Sequence, residues 1–272
     1  MLKDISLADG HSIPILGLGT WQLRGKACTA AVEAALEIGY RHIDTAVLYE
    51  NHQAIAPALR QVPRSDLFIT SKIPSDALEY ESVLVQTERA LDELRCEYLD
   101  LLLIHWPNAA VPLDETLRAF SRLRDEGKIR SIGVSNFTVT RLKEALTFAD
   151  LPIVTNQVEF HPFLHQRELL SFCEQAKVVL TAYSPLARGK VLEDAELLRT
   201  AKRHQATAAQ VALRWAMQKG IVVIPKATSR ERLQENFDSL KLSLHHEEMQ
   251  QIDALHRDQR LVAPDWADFT ES

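Results

Sequence analysis

The sequence predicts an α/β chain closed into a (β/α)8 barrel, and three observations lead there. Short apolar segments alternate with amphipathic ones, strand then helix, through eight repeats. No low-complexity linker or shift in composition interrupts the series, so residues 1–272 read as one domain. The length also suits a closed barrel, which takes roughly 250 residues. An open, doubly wound sheet is the alternative. Against it, the only glycine fingerprint is Gly17-Leu18-Gly19, and Gln22 stands where a third glycine would be needed.

Taken in order, residues 5–14 form a β-hairpin turned at Asp9-Gly10. A strand at 15–18 precedes a helix at 26–38 with Ala31, Ala34, Ala35 and Ile38 on one face. The second strand, 41–44, is followed by a short helix at 53–59. The third, 67–71, is followed by a helix at 81–94 whose Val83, Leu84, Thr87, Leu91 and Leu94 recur at helical spacing. Residues 99–104 are almost continuously apolar, as in a strand buried on both faces of a parallel sheet. The helix at 116–126 stops at Gly127. Strands at 129–134, 153–156, 178–183 and 221–224 alternate with helices at 139–148, 167–175, 195–204 with 208–219, and 230–240. A last helix covers 247–255, and the polar residues from Arg257 onward form a tail over the barrel mouth. Leu213, Trp215 and Met217 fill a helix–barrel interface.

Composition excludes several classes of function. At 46% hydrophobic and 25% charged, the chain has an ordinary globular core. A net charge of −6 without a basic run disfavours nucleic acid and anionic membranes as partners. No apolar run is long enough for a transmembrane helix, and residues 1–7 lack a secretory h-region. Cys28, Cys96 and Cys173 are odd in number and far apart, which fits reduced thiols and a cytoplasmic location.

In a parallel barrel the active site lies at the C-terminal ends of the strands. Three successive strands end in chemistry: the second at Asp44, the third running into Lys72, the fourth into His105. Tyr49 follows Asp44 by five positions on the loop above. Singly, each has a plain structural role: a strand-end aspartate caps, a lysine snorkels, and a histidine beside Trp106-Pro107 sits in a core. Together on neighbouring strands they form a candidate site. Asp44 and Lys72, buried together, must pair. Lys72 beside the Tyr49 hydroxyl is expected to lower its pKa and make it a proton donor, with His105 orienting a carbonyl oxygen or helping to donate.

No nucleophile set competes, since there is no G-x-S-x-G motif and no activated cysteine. No metal is expected either: His161 and His165 have H-x3-H spacing, but Pro162 breaks the helix that would align them. A second stretch, residues 224–236, ends a strand and places Lys226, Thr228, Ser229 and Arg232 at a helix start. That is the chemistry of a phosphate site, and equally that of a capped surface helix.

Over essentially its full length the chain resembles the aldo-keto reductases. The motifs that carry the resemblance are residues 39–51, 99–107 and 224–236. They are supported by Gly17-Leu18-Gly19-Thr20-Trp21, Gly133-Val134-Ser135-Asn136-Phe137, Asn156-Gln157-Val158-Glu159 and Ala182-Tyr183-Ser184-Pro185-Leu186. The resemblance implies a TIM barrel that binds NADPH (NADP+) in extended form. It places the catalytic tetrad on Asp44, Tyr49, Lys72 and His105, with Tyr49 as general acid. It further implies cofactor contacts at Thr20 and Asp44; at Ser135, Asn136 and Gln157, for the carboxamide; and at Tyr183, stacked on the nicotinamide, with Ser184 and Leu186 beside it. Lys226, Thr228 and Arg232 match 2′-phosphate contacts, and Glu235 and Asn236 adenine contacts. Ala227 departs from a serine common in the family, which would weaken NADP selectivity.

Only residues 108–113 separate the fourth strand from its helix, and the tail runs Asp258-Gln259-Arg260-Leu261-Val262-Ala263-Pro264. Both features resemble the bacterial 2,5-diketo-D-gluconate reductases of the B form, which implies a monomer reducing small carbonyl compounds such as methylglyoxal and keto-sugar acids. Trp21, Leu48, His105, Trp106 and Trp266 would then line the substrate pocket. The rival readings are a non-catalytic nucleotide-binding subunit and a barrel hydrolase or isomerase whose Lys226 and Arg232 hold a sugar phosphate.

Overall fold

The computed structural model describes residues 4–267 and 269. Strands β1 (Asp4–Ser6) and β2 (Ser12–Pro14) pair antiparallel, Ile5 opposite Ile13. Their turn uses Gly10 at φ 90°, a conformation that glycine adopts without strain. The hairpin closes the bottom of the barrel, and its Leu7 and Ile13 enter the apolar cluster of Phe68, Leu101, Leu103, Val154 and Val222.

Eight strands follow in one parallel sheet: β3 (Gly17–Gly19), β4 (His42–Asp44), β5 (Phe68–Ile73), β6 (Leu99–Ile104), β7 (Ile129–Ser135), β8 (Ile153–Glu159), β9 (Val179–Tyr183) and β10 (Val222–Val223). Each pairs with the next in sequence order. The ring closes between first and last, where Leu16 bridges Val223, Val223 N–H donates to the Ile15 carbonyl at 2.9 Å, and Gly19 N–H donates to the Pro225 carbonyl at 3.2 Å. A Cβ on Gly19 would lie 2.6 Å from the Ile224 carbonyl oxygen, so only glycine lets this seam approach. The (β/α)8 expectation is thus met, hairpin included. Strands β5, β7 and β8 run two, one and three residues beyond their expected ends, which puts Lys72, Ser135 and Gln157 inside strands.

Helices α1 (Gly25–Ile38), α2 (His52–Leu59), α3 (Tyr80–Leu94), α4 (Leu113–Asp125), α5 (Val139–Phe148), α6 (Arg167–Gln175), α7 (Ala195–Arg203), α8 (Ala208–Gln218), α9 (Arg230–Asp238) and α10 (His246–Asp253) surround the sheet. Because β6 is covered by helices outside and by the lumen inside, all six of its residues are buried. On α1 the buried residues are Cys28, Ala31, Val32, Ala35 and Leu36. That face is turned from the one expected, because α1 also packs on α2 and α9, leaving Ala34 and Ile38 half-buried. In α8, Leu213, Trp215 and Met217 are buried as expected, and the Trp215 indole N–H donates to Asp253 Oδ1 at 2.7 Å. The tail from Arg257 lies against the loop after β8, with the Arg257 and Gln259 amides both donating to the Phe163 carbonyl.

Candidate active site

Register determines which side chains meet. Asp44, the last residue of β4, lies level with Thr70 of β5, and Ile73 lies level with Ile104, after which His105 leaves β6. Lys72 stands two residues beyond Thr70 and therefore on the same face of the strand. Its Nζ donates to Asp44 Oδ1 at 2.5 Å and to the Thr45 carbonyl at 2.9 Å, and sits 3.4 Å from the Tyr49 hydroxyl. An ammonium has three donors, and all three are directed. The Lys72 and Asp44 side chains are enclosed almost completely.

Tyr49 ends a 3-10 turn, Val47–Tyr49, which the strand–helix reading missed. Glu50 closes that turn in the left-handed region at φ 53°. Buried Asn51 braces it. Its Oδ1 accepts from the Thr45 hydroxyl at 2.7 Å, and its Nδ2 donates to the Thr20 and Leu23 carbonyls at 3.0 and 3.2 Å. Asn51 lies within the 39–51 motif, but nothing in its spacing reveals this role. The Tyr49 ring meets Trp21 at 4.9 Å between centroids and His105 edge-on at 5.6 Å. Trp21 and Leu48 are about half exposed at the mouth.

The charges of this group depend on burial. Desolvation alone would lower the Lys72 pKa, but Asp44 and Tyr49 outweigh it and hold the ammonium above the ordinary lysine value. For Tyr49, burial raises the pKa, and Lys72 draws it only part of the way back. The expected lowering of the Tyr49 pKa is therefore corrected: the walls that close around the phenol cost its anion more than one cation at 3.4 Å returns. Burial, aided by Lys72, holds His105 down to about 3, so its ring is neutral at neutral pH. Its Nδ1 is buried without a partner.

A second group faces the first across the mouth. Gln157 Nε2 donates to Asp44 Oδ2 at 2.7 Å. The Ser135 hydroxyl donates to the Gln157 carbonyl at 2.8 Å. Asn136, at φ 62°, donates to the His105 carbonyl and to Ser135 Oγ, and accepts from the Tyr183 hydroxyl at 2.8 Å. Ser184 follows in the left-handed region, and Leu186 leads into a 3-10 segment, Ala187–Glu193. Thr20 is fully buried, its hydroxyl donating to the Asp44 carbonyl at 2.9 Å, so it braces Asp44 and presents no free surface.

Beyond β10, Lys226, Thr228 and Arg232 are exposed, and the Ser229 hydroxyl caps α9 by accepting from the Arg232 amide. The Lys226 and Arg232 side chains bond to no other described residue. Two unpaired cations beside a capped helix start suit an anionic phosphate group. Ala227 is buried against the core. Glu235 is half-buried and Asn236 buried in α9. The expected substrate residues on the far rim also meet, since Trp106 and Trp266 pack edge to face at 5.0 Å. His161 Nε2 is 2.9 Å from Glu159 Oε1, while His165 Nε2 is 2.9 Å from the Pro162 carbonyl, so the two rings serve separate partners. Among the described residues, no group of three or more His, Cys, Asp or Glu could hold a metal. No helix among them is long and apolar enough to cross a membrane.

The model of the aldo/keto reductase family matches residues 15–257. The chain belongs to the aldo/keto reductase family. It is a carbonyl-reducing enzyme, and members of this family use nicotinamide cofactors. This aldo/keto reductase is 43% identical to the glyoxal reductase of Bacillus subtilis (strain 168) over 264 residues, which is 96% of this chain and 95% of that one. It is 40% identical to methylglyoxal reductase DkgB of Escherichia coli O157:H7 over 259 residues, 93% and 97% of the two chains. A crystal structure whose protein is provisionally named 2,5-diketo-D-gluconic acid reductase B superposes with a TM-score of 0.95 at 38% identity, covering 98% of this chain and 96% of that one.

Proposed function

We propose that this aldo/keto reductase uses NADPH to reduce small aldehydes and ketones. The substrates we infer are α-dicarbonyls such as methylglyoxal and keto-sugar acids such as 2,5-diketo-D-gluconate. The observation that carries the reading is the Lys72 ammonium held between Asp44 and Tyr49, with the neutral His105 ring against the phenol. The names of the relatives support the substrate class.

Bound NADPH would supply the hydride to the carbonyl carbon. Tyr49 gives its proton to the carbonyl oxygen. Burial keeps that proton in place until it is needed, and Lys72 stands beside the phenolate that remains. Asp44 fixes the Lys72 ammonium and keeps it charged. His105 is neutral, so it orients the substrate oxygen through a hydrogen bond and carries no acid proton. Trp21, Leu48, Trp106 and Trp266 offer an apolar rim to a small substrate.

Lys226, Thr228 and Arg232 would hold the 2′-phosphate, with Glu235 and Asn236 at the adenine. Ser135, Asn136 and Gln157 would meet the carboxamide, and Tyr183 would lie under the ring with Ser184 and Leu186 at its edge. Asn136 and Gln157 already carry bonds within the protein, so they are oriented before the cofactor arrives. Three free thiols support a reducing, cytoplasmic setting.

The test is Tyr49→Phe assayed with methylglyoxal. Turnover should fall by about 10²–10⁴-fold, the usual worth of a positioned acid, while NADPH still quenches tryptophan fluorescence. Turnover like that of the wild type would remove Tyr49 from the mechanism. Quenching by a sugar phosphate in place of NADPH would favour a hydrolase or isomerase.

A further inference from the structure

Outside the tetrad, the carboxylate with the most hydrogen bonds among the described residues is Glu159. It is the last residue of β8, at the mouth end of the barrel, level with Tyr183 of β9. It is fully buried. Its Oε1 lies 2.9 Å from His161 Nε2 and accepts from the Leu261 amide at 2.8 Å. Its Oε2 accepts from the Leu261 and Val262 amides at 3.1 and 2.8 Å. Enclosing a carboxylate is costly, and here most of the compensation comes from the backbone of the tail. These bonds, with the one from His161, outweigh burial and hold the Glu159 carboxyl below the ordinary value, so the anion is the form that binds the tail.

The tail needs such an anchor, because residues 256–264 form no helix or strand of their own. Further ties run to the loop after β8: the Arg257 and Gln259 amides donate to the Phe163 carbonyl, and Arg260 Nη2 donates to Gln166 Oε1 at 3.3 Å. The same Gln166 donates through Nε2 to the Glu159 carbonyl at 2.5 Å. Past Val262 the tail makes no further bond to the barrel backbone among the described residues. Its next contacts are aromatic, Trp266 and Phe269 packing edge to face on Trp106, with the Arg260 guanidinium over Phe269. Trp106 is the residue after His105. The Glu159 carboxylate is thus the last polar fixture before the ring that walls the substrate side.

We propose that Glu159 is a positioning residue for catalysis: its carboxylate latches the tail at Leu261 and Val262 and so sets the distance between Trp266 and the His105–Tyr49 pair. The consequence falls on carbonyl binding. Proton transfer and phosphate binding stay as they are, because neither the tetrad nor the Lys226–Arg232 cradle touches the latch; Tyr183, level with Glu159 on β9, is the cofactor residue beside it, and NADPH affinity reports on it separately. The effect on KM rests on the reductase reading above, whereas the latch itself does not.

The experiment compares Glu159→Leu and Glu159→Gln with the wild type, using methylglyoxal, NADPH and limited trypsin digestion. Glu159→Leu should raise KM for methylglyoxal by about tenfold, the worth of a charge-assisted hydrogen bond, with kcat within about twofold. Its NADPH affinity should be unchanged, and cleavage after Arg257 and Arg260 should speed up by a similar factor. Glu159→Gln should recover most of both effects. Its amide oxygen still accepts from the two tail amides, and only the bond to His161, whose Nδ1 accepts from the Phe163 amide, is given up.

Val262→Pro removes one donor from the tail without touching the barrel, and should reproduce the KM increase if Glu159→Leu fails to fold. Unchanged KM and unchanged cleavage in Glu159→Leu, or in Val262→Pro, would overturn the proposal. So would a parallel loss of kcat and NADPH affinity, which marks a general collapse beside Tyr183. A wild type that binds NADPH but does not reduce methylglyoxal counts against the substrate reading alone, and the cleavage rates still decide the latch.

Discussion

Gln157 donates to the far oxygen of Asp44 across the barrel. The strands that carry them, β8 and β4, are separated by β5, β6 and β7, so the 2.7 Å bond spans the lumen near the mouth. Each Asp44 carboxylate oxygen therefore has its own donor, Lys72 on one and Gln157 on the other. Replacing Gln157 with leucine leaves a buried charged acceptor without its donor. The expected loss is about 1.5–3 kcal/mol of unfolding free energy in urea titration. A variant as stable as the wild type would mean that Asp44 finds another partner at no cost.

The Lys72–Asp44 pair gives a two-step prediction. Lys72→Met strands a buried carboxylate and should cost about 3–5 kcal/mol of stability together with activity. Adding Asp44→Asn to that variant removes the stranded charge, so much of the stability should return while turnover stays low. Stability that falls further in the double variant would contradict a buried ion pair of this kind.

Acid should weaken the fold well above the carboxylate range. His42, His52 and His165 are each held down to about 4, and His105 to about 3, burial being the leading cause in all four. In the unfolded chain they titrate near 6.5. A depressed pKa means that the native state refuses a proton the unfolded state accepts. The stabilisation is therefore complete above pH 6.5 and declines as pH falls toward 4. The limiting slope is about 1.4 kcal/mol per pH unit for each such histidine. Melting temperature measured from pH 7.5 to 4.5 should fall steadily from about 6.5 downward. A flat profile to pH 5 would show that these rings bind protons while folded.

Beyond β10, at the same mouth of the barrel, Lys226 and Arg232 are exposed cations without side-chain partners among the described residues. Arg232→Met should weaken NADPH binding by at least about tenfold, from the loss of one charge-assisted bond. NADH, which lacks the extra phosphate, should bind almost as before. Equal loss for both cofactors would move the phosphate elsewhere. With Ala227 packed in the core, the discrimination falls on the two cations and Thr228.

Much of this site was legible because β-strands interrupt their own pattern where chemistry begins. Asp44, Lys72 and His105 each end or follow an apolar run, and a parallel sheet leaves few places for such residues except its C-terminal edge. The pairing of Gln157 with Asp44 was not legible, since it joins residues whose neighbourhood exists only once the ring is closed. The same holds for Glu159 and the tail amides. Tyr49 shows a different limit: its charge balance depends on how completely Trp21 and the surrounding walls exclude water, and no local spacing reports that. The rotated face of α1 arises likewise, from helices that are distant in sequence but adjacent in space.

The seam between β3 and β10 has a consequence for how the molecule comes into being. A ribosome makes β3, Gly17–Gly19, long before β10, Val222–Val223. Throughout that interval β3 has one neighbour and an open edge: the Ile15 carbonyl lacks the Val223 amide, and the Gly19 amide lacks the Pro225 carbonyl. The strand that closes the ring also leads directly into Lys226. Closure of the last pairing and readiness to take a nucleotide are thus a single event, reached only once β10 and the residues after it are made, and a nascent chain stopped earlier has neither.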